Sequence, residues 1–525
     1  MSDGTTPADV LEALHARLQA VADVVGMPTG HPDGALPPAG DGTTRPADDA
    51  FVVAPASPER VGDLLAHLVD RARSHPDASV TWLLLVALTG AFPTSEEVLD
   101  ARRRLVADPP GASARWLLTT ALALATVTDC LAGIDIVHDG VVVDVDFSAR
   151  HDLNTGIQRV VRSTVPRWAR EHELTLVAWT GTGAMRRLDD AETSRVLRWR
   201  GPIGVQPLTE RPRVVVVPWR STVVLPEVPA PHLCLPLAAL AQHSGNAVSL
   251  VGYDAIPVVS ADLMPPVEPE RFVRYLTVVK HAHRVAAISA SAAEEFRGFV
   301  DMLPAQGLTG PGVAACDLPV DVPARLPDAV TPEDGLPQVV VVGSHEPRKN
   351  HLTVLHAAEV LWREGHRFRL RFIGGSSWAS RPFDRAVRTL ASRGRPVEVG
   401  RAVGDDALWS AYRTARFTVF PSVHEGYGLP VAESLAVGTP AITSNFGSTR
   451  EIGQDGGTLL VDPRDDDAVT DAMRQLLVDD ALHARLVEEA RSRRRRTWDD
   501  YARDSWAALV AGDVPSTTTT DEDTR

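Results

Sequence analysis

The spacing of hydrophobic and polar positions changes several times along the chain. From Val10 to Val25 apolar residues recur at helical intervals, which predicts one amphipathic helix ending near Gly26. Between Gly30 and Asp49 the pattern gives way to Gly, Pro, Thr and Asp, a composition that cannot bury enough apolar surface to fold. A helical pattern rich in Ala and Leu returns from about Ala54 to Ala132. Within it, Ala78-Ser79-Val80-Thr81-Trp82-Leu83-Leu84 and Ala112-Ser113-Ala114-Arg115-Trp116-Leu117-Leu118 lie 34 residues apart. That interval fits a helix-hairpin repeat, and equally a chance likeness between two Ala- and Leu-rich helices. Thr94-Ser95-Glu96-Glu97 has the order of a capped helix start.

From Gly140 short apolar runs alternate with helical segments, the signature of α/β structure. Val141-Val142-Val143-Asp144-Val145-Asp146 reads as a strand, and Asn154 to Val161 leads into a helix. Further strands are expected at Val214 to Val217, Val248 to Val251, Gln338 to Val342, Phe417 to Phe420 and Pro440 to Ser444. Arg284 to Ser291 reads as a strand and turn, with Ser289 capping the next helix. The organisation predicted is a tail and linker at 1–53, a helical module at 54–132, two successive α/β domains at 138–330 and 336–480, closing helices at 481–510, and an acidic tail at 511–525.

Composition narrows the function classes. A length of 525 residues calls for more than one domain, and a formal charge of −15 argues against a nucleic-acid partner. Cys130, Cys234 and Cys316 are too few and too scattered for a disulfide framework or a zinc site, which points to a reducing compartment and no metal. No basic-then-apolar leader opens the sequence, and the longest apolar runs, Val80 to Leu88 and Trp116 to Val127, are too short to span a bilayer. The expectation is a cytoplasmic protein. Arg493-Arg494-Arg495-Arg496 leaves peripheral contact with anionic lipid at the inner membrane face open, although Asp499 and Asp500 favour a solvated helix face.

The candidate chemistry is concentrated in His424-Glu425-Gly426-Tyr427-Gly428-Leu429-Pro430-Val431-Ala432-Glu433, closed by Gly438-Thr439-Pro440. Pro430 suits the first position of a helix running to Val437, and Gly438 suits the position past its end. The amino end of that helix aims backbone N–H groups at the preceding loop, while Gly426 and Gly428 let a ligand approach, which is a cradle for a diphosphate. Glu425 and Glu433 can accept hydrogen bonds from sugar and ribose hydroxyls. The plain alternative is a capped core helix with two solvated carboxylates. Arg348 and Lys349 follow the strand Gln338 to Val342 and can neutralise negative charge on a leaving diphosphate; alternatively they form a surface ion-pair cluster with Glu346.

Several of these motifs occur in an order that resembles the carboxyl-terminal half of retaining GT-B glycosyltransferases of family 4. The matching residues are Val342-Gly343-Ser344-His345-Glu346-Pro347-Arg348-Lys349-Asn350, Phe372-Ile373-Gly374, Val399-Gly400-Arg401, the block from Glu425 to Pro440, and Leu459-Leu460-Val461-Asp462-Pro463. The resemblance implies two Rossmann-like domains facing across a cleft, beside the all-helical amino-terminal module. It implies that Glu425 contacts the transferred sugar, with Arg348 and Lys349 as the other catalytic residues, and that Glu433 contacts the donor ribose. Gly343, Ser344, Gly426, Tyr427, Gly428 and Leu429 complete the donor side, and Gly156 stands in the matching loop of the first domain. Many relatives have Arg where this chain has Ser344, and His where it has Tyr253 before Asp254.

The activity implied is transfer of a hexosyl unit, with retention, from a nucleoside diphosphate sugar to a glycan or lipid-linked glycan hydroxyl in cell-surface polysaccharide synthesis, without a cofactor. The Glu346-Pro347-Arg348-Lys349-Asn350 form resembles mannosyltransferases. A nucleotide-sugar epimerase or phosphorylase on the same fold, or a non-catalytic scaffold binding glycan or protein through its helical module, stays open.

Overall fold

The computed structural model describes residues 6–26, 56–75, 77–124, 131–201, 204, 214–323, 325–327 and 335–512. The linker expected at Gly30 to Asp49 and the acidic tail from Ser516 lie outside the described residues. Two compact units are present, Met1–Leu153 with Glu173–Val248, and Asn154–His172 with Ser249–Arg525.

In the first unit, helices span Pro7–Gly26, Pro58–Ser74, Ser79–Thr89, Ser95–Ala107 and Pro110–Leu124. Ser79–Thr89 is buried at every residue from Val80 onward, as a helix apolar on all sides must be. Thr94 caps the fourth helix, and Glu97 returns the contact to complete a capping box. The strands are β1 (Gly133–His138), β2 (Val141–Asp144), β3 (Thr175–Trp179), β4 (Met185–Arg187), β5 (Val214–Trp219) and β6 (Thr222–Leu225), in the order β1-β5-β4-β3-β2-β6. Only β4 among them runs antiparallel, against β3 and β5.

The helical region packs on the sheet: Phe92 lies edge-on to both Trp82 and Trp179, at 5.2 and 5.5 Å between centroids, tying helix to strand. The strand from Val141 ends at Asp144, and Asp146, expected within it, opens a short helix, Asp146–Arg150. Asp144 accepts from the Trp179 indole at 2.7 Å, and Asp146 accepts from the Trp179 amide at 2.7 Å, so this acidic pair fastens β2 to β3. Burial, then the neighbouring Asp146 charge, pushes the Asp144 carboxyl up to about 7.

The second unit contains β7 (Ala247–Gly252, from Ser249 onward), β8 (Arg284–Ala287) and β9 (Gly312–Ala315), parallel and in that order. Helix Gly156–Glu171 packs on helix Trp498–Trp506, with the Trp168 indole donating to Ala502 O at 2.8 Å. A six-stranded parallel sheet follows: β10 (Gln338–Val342), β11 (Arg369–Ile373), β12 (Val397–Gly400), β13 (Ala415–Phe420), β14 (Ala441–Ser444) and β15 (Thr458–Val461), in the order β12-β11-β10-β13-β14-β15. Val339, Val341, Phe372, Phe417 and Val419 are fully buried within it, which explains the unbroken apolar runs in the sequence. Strand order reverses between β10 and β13.

Candidate active site

In open parallel sheets a ligand crevice forms beyond the carboxyl ends of strands at the point where their order reverses. Here that point lies between β10 and β13. After β10, Gly343 and Ser344 turn the chain, and Pro347-Arg348-Lys349 make one 3-10 turn before helix His351–Arg363. After β13, a loop carries Glu425 to helix Leu429–Ala436. One strand therefore supplies the cations and its neighbour supplies the carboxylate.

Lys349 Nζ lies 2.6 Å from Glu425 Oε1, and Arg348 Nη1 lies 2.9 Å from the same oxygen. Arg348 Nη2 reaches Glu346 Oε1 at 2.7 Å, Ser422 Oγ donates to Glu425 Oε1, and Lys349 lies 4.8 Å above the Phe420 ring. With side chains only 11–15% exposed these contacts are mostly shielded from water, so the surface ion-pair alternative does not describe them. Burial opposes the charge on Glu425, but Lys349 and Arg348 outweigh it and hold the carboxyl down at about 2. Burial pulls the Lys349 ammonium below its ordinary value while Glu425 resists. Two cations against Glu346 and Glu425 leave the group formally neutral, with every one of these Glu425 contacts on Oε1.

The second carboxylate, Glu433, is 4% exposed. It is no solvated side chain on a capped helix. Its Oε2 accepts from Tyr412 OH at 2.9 Å and its Oε1 from Arg159 at 3.1 Å. The helix begins one residue earlier than expected, placing Pro430 second. The amides of Val431 and Ala432 turn back to Gly428 O, so among the described residues those of Gly428 and Leu429 are left without a recorded partner.

The two loop glycines serve packing more than ligand access. A Cβ at Gly426 would stand 2.6 Å from Tyr253 O, and one at Gly428, whose φ is +112°, would stand 2.9 Å from Thr449 Cγ2. The Tyr427 hydroxyl donates to Leu318 O, and Tyr427, like Val320, packs against the apolar cluster that contains Phe420, Val431 and Ala432. Gly343 lies beside the Lys349 stem, Ser344 is half-buried next to it, and a Cβ on Gly156 would meet nothing within 4 Å.

Sequence reasoning assigned no role to Arg159, Tyr412 or the network around His424. His424 Nδ1 is 2.8 Å from Ser260 Oγ, its Nε2 pairs with Glu295, and Glu295 also accepts from the Ala255 amide. This network anchors the Glu425 loop to the segment after β7. Asp254, in that segment, is half-buried, and desolvation followed by the Glu295 charge raises it to about 6 against the pull of Arg348. The position of His424 beside Glu425 was the one available signal.

Residues 325–493 match the model of the family described as Glycosyl transferases group 1. A serotype-specific mannosyltransferase WbdA of Escherichia coli is 25% identical over 334 residues, 60% of this chain and 40% of that protein. An O-antigen chain mannosyltransferase B of Escherichia coli is 36% identical over 144 residues, 27% of this chain and 36% of that protein. The chain thus aligns with well under half the length of these curated relatives. Among solved structures, a sucrose-phosphate synthase from Thermosynechococcus elongatus aligns over 71% of this chain and 95% of its own, at 16% identity and a TM-score of 0.47. Arg348, Lys349, Glu425 and Glu433 all lie within residues 325–493, the stretch that matches the glycosyl transferases group 1 model.

Proposed function

We propose that this chain moves a hexosyl unit from a nucleoside diphosphate sugar to a hydroxyl of a glycan or glycolipid in the building of a cell-surface polysaccharide. The observation that supports this most is the largely shielded Lys349-Glu425-Arg348 cluster, at the switch point of the parallel sheet and inside the matched region. As the bond between the anomeric carbon and the phosphate oxygen breaks, its electron pair goes to that oxygen. Lys349 and Arg348 are the charges available to stabilise it, and the Gly428 and Leu429 amides are further donors on the same loop as Glu425. Glu425 is then released in part from its cation pairs and accepts hydrogen bonds from the sugar, while Glu433 accepts from the ribose.

Retention follows from the resemblance in the sequence, as a same-face displacement in which the leaving phosphate receives the acceptor proton. The two cations supply the charge that a metal would otherwise carry, so this reading uses none. The mannosyltransferase relatives make GDP-mannose the first donor to test. No helix among the described residues is long and apolar enough to cross a membrane. The reading places the reaction in the cytoplasm, at the inner membrane face where a lipid-linked acceptor would be met.

The test is a thermal-shift screen against UDP, GDP and dTDP and their hexoses, followed by product analysis with donor alone and with acceptor. A transferase is stabilised by one nucleotide series and forms product only when acceptor is present. Conversion of donor alone selects an epimerase, and no stabilisation by any nucleotide selects a scaffold.

A further inference from the structure

Glu433 is the most deeply buried carboxylate near the site, with its side chain 5% exposed, yet a different residue holds each of its oxygens. Arg159 Nη1 lies 3.1 Å from Oε1 and Tyr412 OH lies 2.9 Å from Oε2. Arg159 arrives from the first turns of helix Gly156–Glu171, 274 positions away in sequence. That turn is fixed by a capping box between Thr155 and Gln158, so the backbone beneath Arg159 is anchored. The Arg159 side chain is 36% exposed, which leaves one side of the pair open.

A carboxylate offers about four acceptor positions. One protein contact on each oxygen leaves a free acceptor direction on each, the pattern that a vicinal diol with two O–H donors fits. We propose that Arg159 is a positioning residue for the donor nucleotide, holding the Glu433 carboxylate so that it accepts both ribose hydroxyls. This rests on the reading of Glu433 as the ribose contact. Burial pushes the Glu433 carboxyl above its ordinary range, and Arg159, then the Tyr412 hydroxyl, oppose that rise. Asp405, on the same helix as Tyr412, is the further charge acting on it, and it raises the value too. Without Arg159 the carboxyl keeps a single hydroxyl partner, takes up a proton more readily and presents a donor where the ribose needs an acceptor.

The experiment is calorimetric titration of the full chain with GDP, UDP and their 2′-deoxy counterparts, in wild type, Arg159→Ala, Arg159→Lys, Glu433→Gln and the Arg159→Ala/Glu433→Gln pair. Arg159→Ala is expected to weaken the ribonucleotide about tenfold or more and the deoxynucleotide less. The loss should be greatest at low pH and recede as pH rises and Glu433 ionises again. Arg159→Lys should restore part of it, and the double variant should bind no worse than Glu433→Gln alone. A pair that only joins two helices would change the melting temperature and leave the ribose-to-deoxyribose ratio and the pH profile alone, which overturns the proposal. Additive losses in the double variant overturn it as well. If wild type binds neither nucleotide, the glycosyltransferase reading falls first; if wild type binds and Arg159→Ala binds equally, only the role of Arg159 falls.

Discussion

Lys349 and Glu425 meet at 2.6 Å with each side chain 11% exposed, joining the turn after β10 to the loop after β13. Removing one partner of such a pair leaves a buried charge uncompensated, at a cost of about 3 kcal/mol or more. Glu425→Gln strands Lys349 and leaves Arg348 with Glu346 alone, whereas Lys349→Met leaves Glu425 still paired to Arg348 at 2.9 Å. Urea denaturation should therefore show a larger loss for Glu425→Gln than for Lys349→Met, with both variants folded. Equal stability in all three proteins would contradict the cluster as described.

The pH dependence of stability should show opposite trends from different carboxylates. Glu425 is held at about 2, so its contribution is complete above the ordinary carboxylate range and is lost as pH falls toward 2. Burial raises Asp144 and Glu227 to about 7, so their contribution is complete below about pH 4 and is lost as pH rises through 7. Calorimetry between pH 5 and 8 should show a falling stability that Asp144→Asn and Glu227→Gln together flatten. An unchanged slope in that double variant would refute the assignment.

The loop glycines are predicted to be sensitive for a structural reason. Gly428→Ala forces a left-handed residue against Thr449, and Gly426→Ala drives a methyl into the Tyr253 carbonyl. Each should lower stability by about 1–3 kcal/mol in thermal melts. Gly426→Ala should also reduce donor affinity, since the Glu425 loop must shift to relieve it. Gly156→Ala, with open space around its Cβ, should leave the melting temperature within the error of the wild type.

Local signals made part of this legible from sequence. The Thr94 capping box, the Ser289 cap, which accepts from the Ala292 amide at 3.0 Å, and the apolar strands around Glu425 are set by neighbours within a few positions, which periodicity reads well. The short β4 and the strand β1 were missed, because three and six residues give little alternation to detect. Long-range partners left no trace. Nothing local announces that Arg159 meets Glu433, that Gly426 rests on Tyr253, or that Phe92 stands between Trp82 and Trp179. The sequence offered Glu346 as the partner of the two cations, and only tertiary packing shows that Lys349 and Glu425 already neutralise each other.

The most direct measurement is the initial rate of sugar transfer to acceptor from whichever nucleoside diphosphate hexose stabilises the chain most, compared in wild type, Lys349→Met and Glu425→Gln. The account predicts acceptor-dependent transfer by wild type and a loss of about a thousandfold in each folded variant, the scale of removing a group that stabilises developing charge. Transfer at the wild-type rate by Glu425→Gln or Lys349→Met would contradict it.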